Sequence, residues 1–293
     1  MPLEENNNRI RTDEARRLSR RRFIARSVLG LAGLTAAGAV SANQIDDLQL
    51  IDLRVEVPGW PSASNGFTIA QLSDLHCDDT DSVNRVYRGV KLLLDEQPHV
   101  GVVTGDFISR GNTAYLSEVA KALSPLNALP SGAYAVLGNH DYERGSADKI
   151  ASVISSAGFD VLRNQSVPIG GVPNAFFVGV DDAIARCSHV ERAIAGLPPG
   201  STRILLVHEP DFADVAGPGF ALQLSGHSHG GQIRVPGLPP IHEPTMGRQY
   251  PEGLQQAVNH LVYTSRGVGV TGPKLRLYCK PDVTLLRLYA PSA

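Results

Sequence analysis

Cysteine is scarce: Cys77, Cys187 and Cys279 are the three in 293 residues, widely spaced, with no CxxC pair. An odd, dispersed set excludes a disulfide framework and reads as buried thiols. Net charge is small as well. The formal value is −2, and residues 1–42 carry eight arginines against four acids, so the remainder sits near −6. That remainder lacks a basic stripe, so no nucleic-acid partner is expected. No internal repeat of 20–50 residues occurs, which argues against a repeat architecture. What is present, 42% apolar and 19% charged residues, is the composition of an ordinary globular protein able to bury a substantial core.

Long hydrophobic runs are also missing. The uncharged run 27-SVLGLAGLTAAGAVS-41 is Gly/Ala-rich and shorter than the ~20 residues a membrane span needs. It follows 19-SRRRFIA-25, with Arg20 and Arg21 as a pair and Phe23 two places on, and it leads to Val40 and Ala42 at the −3 and −1 positions of a cut. This is the twin-arginine export pattern. Residues 1–42 are expected to be a signal for the twin-arginine export machinery and residues 43–293 the folded domain. The expected location is across the cytoplasmic membrane, in the periplasm or on the extracellular face. An uncleaved signal that tethers the domain to the membrane is the alternative.

Beyond the extended segment 48-LQLIDLRVEV-57, short β-prone runs each end in a polar cluster. The run 67-FTIAQL-72 ends at 73-SDLHCDD-79, 100-VGVVT-104 at 105-GDF-107, 133-AYAV-136 at 138-GNHD-141, 203-RILLV-207 at 208-HEPD-211, and 221-ALQLS-225 at 226-GHSHGG-231. Val83, Val86, Tyr87, Val90, Leu93 and Leu94 share one helical face, and helices are expected at 115–123 and 146–157. Further strands are expected at 161–169, 175–180, 261–265, 274–278 and 283–289. The order, βαβα first and β-rich later, predicts an α/β core with a second, partly antiparallel sheet packed on it.

The C-terminal edge of an open α/β sheet is where ligands bind. Five clusters there supply Asp74, His76, Asp106, Asn139, His140, His208, His227 and His229. The donors are oxygen and nitrogen without thiolate, which suits Mn, Fe or Zn. In an extended chain residues i and i+2 point the same way, so Asp74/His76 and His227/His229 are each expected to send two donors to one side. Gly105, Gly138, Gly226, Gly230 and Gly231 leave room for close approach. So many donors over-supply one ion and suit two, with Asp106 as the natural bridge. Paired dications lower the pKa of a water between them and offset phosphate charge, which implies in-line attack on phosphorus.

The ordered set D-x-H (Asp74, His76), G-D (Gly105, Asp106), G-N-H-D (Gly138 to Asp141), His208 and G-H-x-H (Gly226 to His229) resembles the calcineurin-like metallophosphoesterase superfamily over residues 67–231. The resemblance implies a four-layer α/β/β/α sandwich with mixed sheets and a dinuclear site of two divalent or trivalent ions. One metal would be held by Asp74, His76, Asp106 and His229, and the other by Asp106, Asn139, His208 and His227. His140 would stabilise the transition state or protonate the leaving group, oriented by Asp141. The stretches GHSHGGQ, 178-VGVDD-182 and 263-YTSRGVGVTGPKLRLYCKPDVTLLRL-288 look like an exported or membrane-associated phosphodiesterase subgroup, over nearly all of residues 50–289. This implies a phosphodiester or pyrophosphate substrate, lipid-linked or in the cell envelope, and peripheral membrane association. A phosphomonoesterase and a non-catalytic metal-binding envelope module are the alternatives. Two departures from the family pattern are Cys77-Asp78-Asp79 after D-x-H and Pro98-His99 before the second strand.

Arg266 is a candidate phosphate contact, since a guanidinium grips phosphate bidentately, against the plainer reading of a loop arginine. Asp181 and Asp182 fit either a site-lining role or a turn. His99, His189, His242 and His260 occupy no motif and are expected to be structural or solvated, and Cys77 to be a packing residue.

Overall fold

The computed structural model describes residues 43–238, 240 and 243–292. The expectations for residues 1–42 and for His242 lie outside the described residues. Among the described residues no helix is long and apolar enough to cross a membrane.

Period-2 alternation produces two six-stranded sheets. The first has the order β1 (Gln49–Glu56), β12 (Asp282–Tyr289), β2 (Phe67–Leu72), β3 (Val100–Thr104), β4 (Ala133–Val136), β5 (Asp160–Val161). The second has the order β10 (Gly253–Gln256), β11 (Leu261–Thr264), β9 (Leu222–Ser225), β8 (Thr202–Leu206), β7 (Ala175–Gly179), β6 (Gln165–Pro168). Strands β2 to β5 run parallel, as do β7, β8, β9 and β11. Strand β12 is antiparallel to β2, and β6 and β10 are antiparallel edges.

Ile69, Val100, Val102, Tyr134 and Val136 of the first sheet pack against Phe177, Ile204, Leu206, Leu222 and Leu224 of the second. Each fully buried side chain of this size contributes roughly 1.5–3 kcal/mol. The alternate residues face outward. Ala70, Leu72, Val103 and Ala135 meet helices α1 (Thr80–Asp95), α2 (Leu116–Leu123) and α4 (Ala147–Ser156). Leu205 and Val207 meet α5 (Val190–Ile194) and the turn at Phe212. The layers are therefore helix, sheet, sheet, helix, as the resemblance implies.

Asp79 explains one departure from the family pattern. Its carboxylate accepts from Ser82 N at 2.7 Å in a reciprocal capping box that starts α1. His99 explains the other. Its Nδ1 accepts from Thr68 N at 3.1 Å, and its ring stacks on Phe67.

Two expectations need correction, and one strand is additional. The run 161–169 is two strands, β5 and β6, on different sheets. Asn164 turns the chain between them with φ 57°, its side chain accepting from Asp181 N and His189 N. Residues 274–278 form no strand, only the single bridge Ile233 to Leu277, because Arg276 gathers this loop around itself. Strand β10 was not expected, since Gly253–Gln256 is a polar edge without apolar alternation.

Candidate metal centre

The C-terminal ends of β2, β3, β4, β8 and β9 meet at one rim, and the loops that follow them interlock. Asp74 N donates to Gly105 O, His76 N to Asp106 O and Gly226 N to His208 O, each at 3.0 Å. The backbone is not extended here. Asp74, His76, Asp106, His227 and His229 have φ of 51°, 44°, 57°, 71° and 51°, so left-handed kinks, not the i, i+2 geometry of a strand, turn both members of each pair toward the centre. Each kink costs on the order of 1 kcal/mol, and such strain clusters at functional sites. Glycine is required beside them. A Cβ on Gly105 would lie 2.6 Å from Gly138 N and 2.8 Å from His208 Nδ1.

Side chains from both sheets converge. His76 Nε2 is 3.0 Å from His229 Nε2 and 3.4 Å from Asp106 Oδ2. His208 Nε2 is 3.2 Å from Asp106 Oδ2 and 4.0 Å from Asp74 Oδ1, and His229 Nε2 is 3.3 Å from Asp74 Oδ1. Three compact donor groups result: Asp74 with His76 and His229, Asp74 with Asp106 and His208, and His76 with Asp106 and His140. Asp74, His76 and Asp106 each belong to two of the three, and Asp106 is the carboxylate within 3.4 Å of both His76 and His208. The ring centroid of His227 lies 5.0 Å from that of His208.

The electrostatics suit a cation. Burial pushes His76 down to about 3. It also lowers His227, and it lowers His229 with help from His76 and Arg276, so all three are neutral, as metal binding requires. Burial pushes Asp74 up to about 6 against the pull of His208. Burial also works against ionisation of Asp106, but the adjacent His208 imidazole, by its charge and its hydrogen bond, outweighs it and holds this carboxyl well below the usual range. For His208 the desolvation is overcome by Asp106, Asp74 and Glu209, which hold its proton well above the ordinary range. A proton on His208 thus occupies the place of positive charge.

Among the described residues ten buried side-chain atoms have no hydrogen-bond partner, and three of them, Asn139 Oδ1, His140 Nδ1 and His208 Nε2, belong to residues of this rim. Each such atom needs an explanation, and a bound ion is one that several of them share at this rim. Together with the nitrogen–oxygen donor set, they fit a metal centre. The remaining ring nitrogens are oriented from behind: His208 Nδ1 by Thr104 O at 2.7 Å, His227 Nε2 by Thr245 O at 2.8 Å and His76 Nδ1 by Ser109 Oγ at 3.3 Å. This is the outer support that ligating histidines use.

The calcineurin-like phosphoesterase family matches residues 67–231, the span that carries every one of these donors. The chain belongs to this family. Among phosphoesterase relatives, the metallophosphoesterase YkuE of Bacillus subtilis is 31% identical, over 93% of this chain and 98% of that one. The phosphodiesterase YaeI of Escherichia coli is 32% identical, over 92% and 99%. The UDP-2,3-diacylglucosamine pyrophosphatase LpxG of Chlamydia muridarum is 27% identical, over 90% and 98%.

Beside the phosphoesterase ligand set stands His140, whose ring is 5.0 Å from that of His76 and whose side chain is 19% exposed where those of His76 and His208 are 0%. The acid next to its ring is Glu143, with Oε1 2.9 Å from Nδ1 and off the hydrogen-bonding direction. Asp141 does not take the expected orienting place. Its carboxylate accepts from the backbone of Asp106 at 2.9 Å and of Phe107 and Gly138 at 3.0 Å. It ties the one-turn helix α3 (Asn139–Tyr142) to the Asp106 loop.

Arg266 is likewise placed elsewhere. Its Nε donates to Asp282 Oδ2 at 2.7 Å and its Nη2 to Gln49 Oε1 at 3.2 Å, so its fork serves the end of β12. Asp181 pairs with Arg163 at 2.9 Å, and Asp182 caps a turn at Ala185 N. Cys77 is fully buried in the first core, as expected of a packing residue. Sequence reasoning missed Glu143, Glu209 and Arg276. Only Glu143 left a signal, its i, i+3 spacing from His140.

Proposed function

We propose that this phosphoesterase cleaves a phosphodiester or pyrophosphate bond with two metal ions, Asp74, His76, Asp106 and His229 holding one and Asp106, Asn139, His208 and His227 the other. The observation that carries this reading is the convergence of donors from both sheets on Asp106, with a solvent-reached imidazole, His140, beside them. Bound metals would supply Lewis acidity and a nucleophile from water at neutral pH. The residues do the rest. Asp106 and Asp74 bring negative charge that offsets the ions, the buried imidazoles of His76, His227 and His229 stay neutral, and the hydrogen-bonded loops fix the donors before substrate arrives. His140 is placed to hold a phosphate oxygen or give a proton to the departing oxygen.

The relatives whose names state a reaction, a phosphodiesterase and a pyrophosphatase, support a bond between phosphorus and a large leaving group. The pyrophosphatase acts on a diacylated sugar nucleotide by its name. That supports a lipid-linked or cell-envelope substrate here, met at the membrane surface. The arginine pair at Arg20 and Arg21 supports export of the folded, metal-loaded enzyme by the twin-arginine machinery.

The test is a comparison of rates on bis-aryl and mono-aryl phosphates with the metal-reconstituted chain, followed by a panel of lipid pyrophosphates. A preference for the diester is expected. Strong preference for the monoester would make the enzyme a phosphomonoesterase. No hydrolysis of either, together with no effect of His140→Ala, would make it a non-catalytic metal-binding module.

A further inference from the structure

Arg276 is the largest fully buried side chain of the described residues, at 0% exposure. Among the described residues no carboxylate forms an ion pair with it. A charge taken out of water without a counter-ion is expensive unless its donors are all used. Here backbone carbonyls use them. Nη2 donates to Arg266 O at 2.7 Å, Gly267 O at 3.0 Å and Gly269 O at 2.6 Å, while Nε reaches Gly269 O at 3.1 Å and Nη1 reaches Cys279 O at 3.4 Å.

The far side of that carbonyl collar presses on one group of metal donors. Val268 N donates to Ser73 O at 3.0 Å and Gly269 N to Asp74 O at 2.7 Å. A Cβ on Gly267 would stand 2.5 Å from Asp74 Cβ, so the loop lies against the carboxylate's own stem. On its other side, Arg276 Nη2 is 3.3 Å from His229 Nδ1. Cys279, held by the same guanidinium, donates its thiol to His229 O at 3.2 Å. Both residues reached in this way, Asp74 and His229, sit in left-handed backbone that needs outside support. Asn139, His208 and His227 receive none of these contacts directly, and His227 is tied to the supported carboxylate only through its backbone N–H.

We infer that Arg276 is a positioning residue chiefly for one metal subsite, that of Asp74, His76, Asp106 and His229. It holds the 266–269 loop against Asp74 and backs the ring and backbone of His229. This rests on the dinuclear reading above. Lysine cannot replace it, because a single ammonium at the end of a flexible stem does not reproduce a guanidinium fork that reaches four carbonyls, those of Arg266, Gly267, Gly269 and Cys279.

The experiment titrates the full-length apo-protein with Mn²⁺ and compares wild type with Arg276→Lys and Arg276→Met, recording metal per chain, both affinities, circular dichroism, and kcat and KM on a bis-aryl phosphate. The expected result is a folded variant that fills one site with wild-type affinity and the other at least about tenfold more weakly, the scale of lost outer support. Saturating Mn²⁺ then restores kcat, with KM unchanged. Two wild-type affinities in the folded variants, or an equal loss at both sites, would overturn the inference. If the Arg276 variants do not fold, Gly267→Ala, which leaves the guanidinium in place and pushes on Asp74, must give the same selective loss, and two wild-type affinities there would overturn it. A wild-type chain that never binds a second ion would instead defeat the dinuclear reading itself.

Discussion

His227 donates its backbone N–H to both oxygens of the Asp74 carboxylate, at 2.9 and 3.0 Å. One bond thus joins the last strand-end loop of the second sheet to the first of the first sheet. The metal centre is where the two sheets are fastened, so changes in its loops are felt across the sandwich.

His140 and Asp141 adjoin in sequence yet differ in what they touch. His140→Ala is expected to lower kcat by about 10²–10⁴-fold, the usual worth of a positioned acid, with metal content unchanged. Asp141→Asn replaces one of the two carboxyl oxygens that accept from the amides of Asp106, Phe107 and Gly138 with an NH2 donor. It is expected to cost about 2–3 kcal/mol in denaturant unfolding. An Asp141→Asn protein as stable as wild type but slowed in kcat would place this carboxyl group in catalysis instead.

Gly105 has φ 93° and no room for a methyl group, with His208 Nδ1 2.8 Å from the position of a Cβ. Gly105→Ala displaces His208 and the Gly138 turn together. Displacements near 1 Å cost about 10²-fold in rate, and that loss is expected with the far-ultraviolet circular dichroism retained. Wild-type turnover in this variant would show that the loops need not be so tightly packed.

For Arg266 the expected effect is on stability, not on substrate. Its partner Asp282 is buried at 2% exposure, so Arg266→Ala strands a charge and is expected to destabilise by about 3–5 kcal/mol. KM for the diester should stay within twofold or so of wild type, roughly what loss of a non-contact residue allows. A large rise in KM at unchanged stability would return Arg266 to the substrate.

Protons compete with metal at two donors. Asp74 is pushed up to about 6 and His208 is held protonated above its ordinary range, whereas His76, His227 and His229 are lowered and have no proton to lose near neutral pH. Binding must expel the protons of Asp74 and His208, so affinity falls as pH drops through 6 and rises above it. The expected slope is about tenfold per pH unit for each proton displaced. Titration calorimetry in buffers of different ionisation enthalpy should find proton release at pH 6. Proton uptake, or an affinity flat from pH 5.5 to 7.5, would contradict this electrostatic picture.

The rim was legible because its residue types are rare and sit where alternation stops. The runs 67–72, 100–104 and 133–136 are the observed β2, β3 and β4 to the residue, and each ends in an acid or His/Asn cluster, the second and third beside glycine. The local geometry was not legible. Alternation continued past the strand suggests an extended Asp74–Leu75–His76, while the hydrogen bonds to Gly105 O and Asp106 O force left-handed kinks. Those partners lie about thirty residues away. Arg276 was invisible for a related reason. Its partners are main-chain carbonyls, which every residue carries, so nothing in the letters around it marks a buried cation.

The central claim is a dinuclear, diester-cleaving centre built on Asp106. It is tested most directly by elemental analysis of the metal-reconstituted chain together with its rate on a bis-aryl phosphate, measured alongside Asp106→Asn. About two metals per chain and diester hydrolysis are expected in the wild type, with both lost in the variant because it removes the shared ligand. A wild-type content below one under metal-replete conditions, or an Asp106→Asn protein that keeps both its metals and its rate, would contradict it.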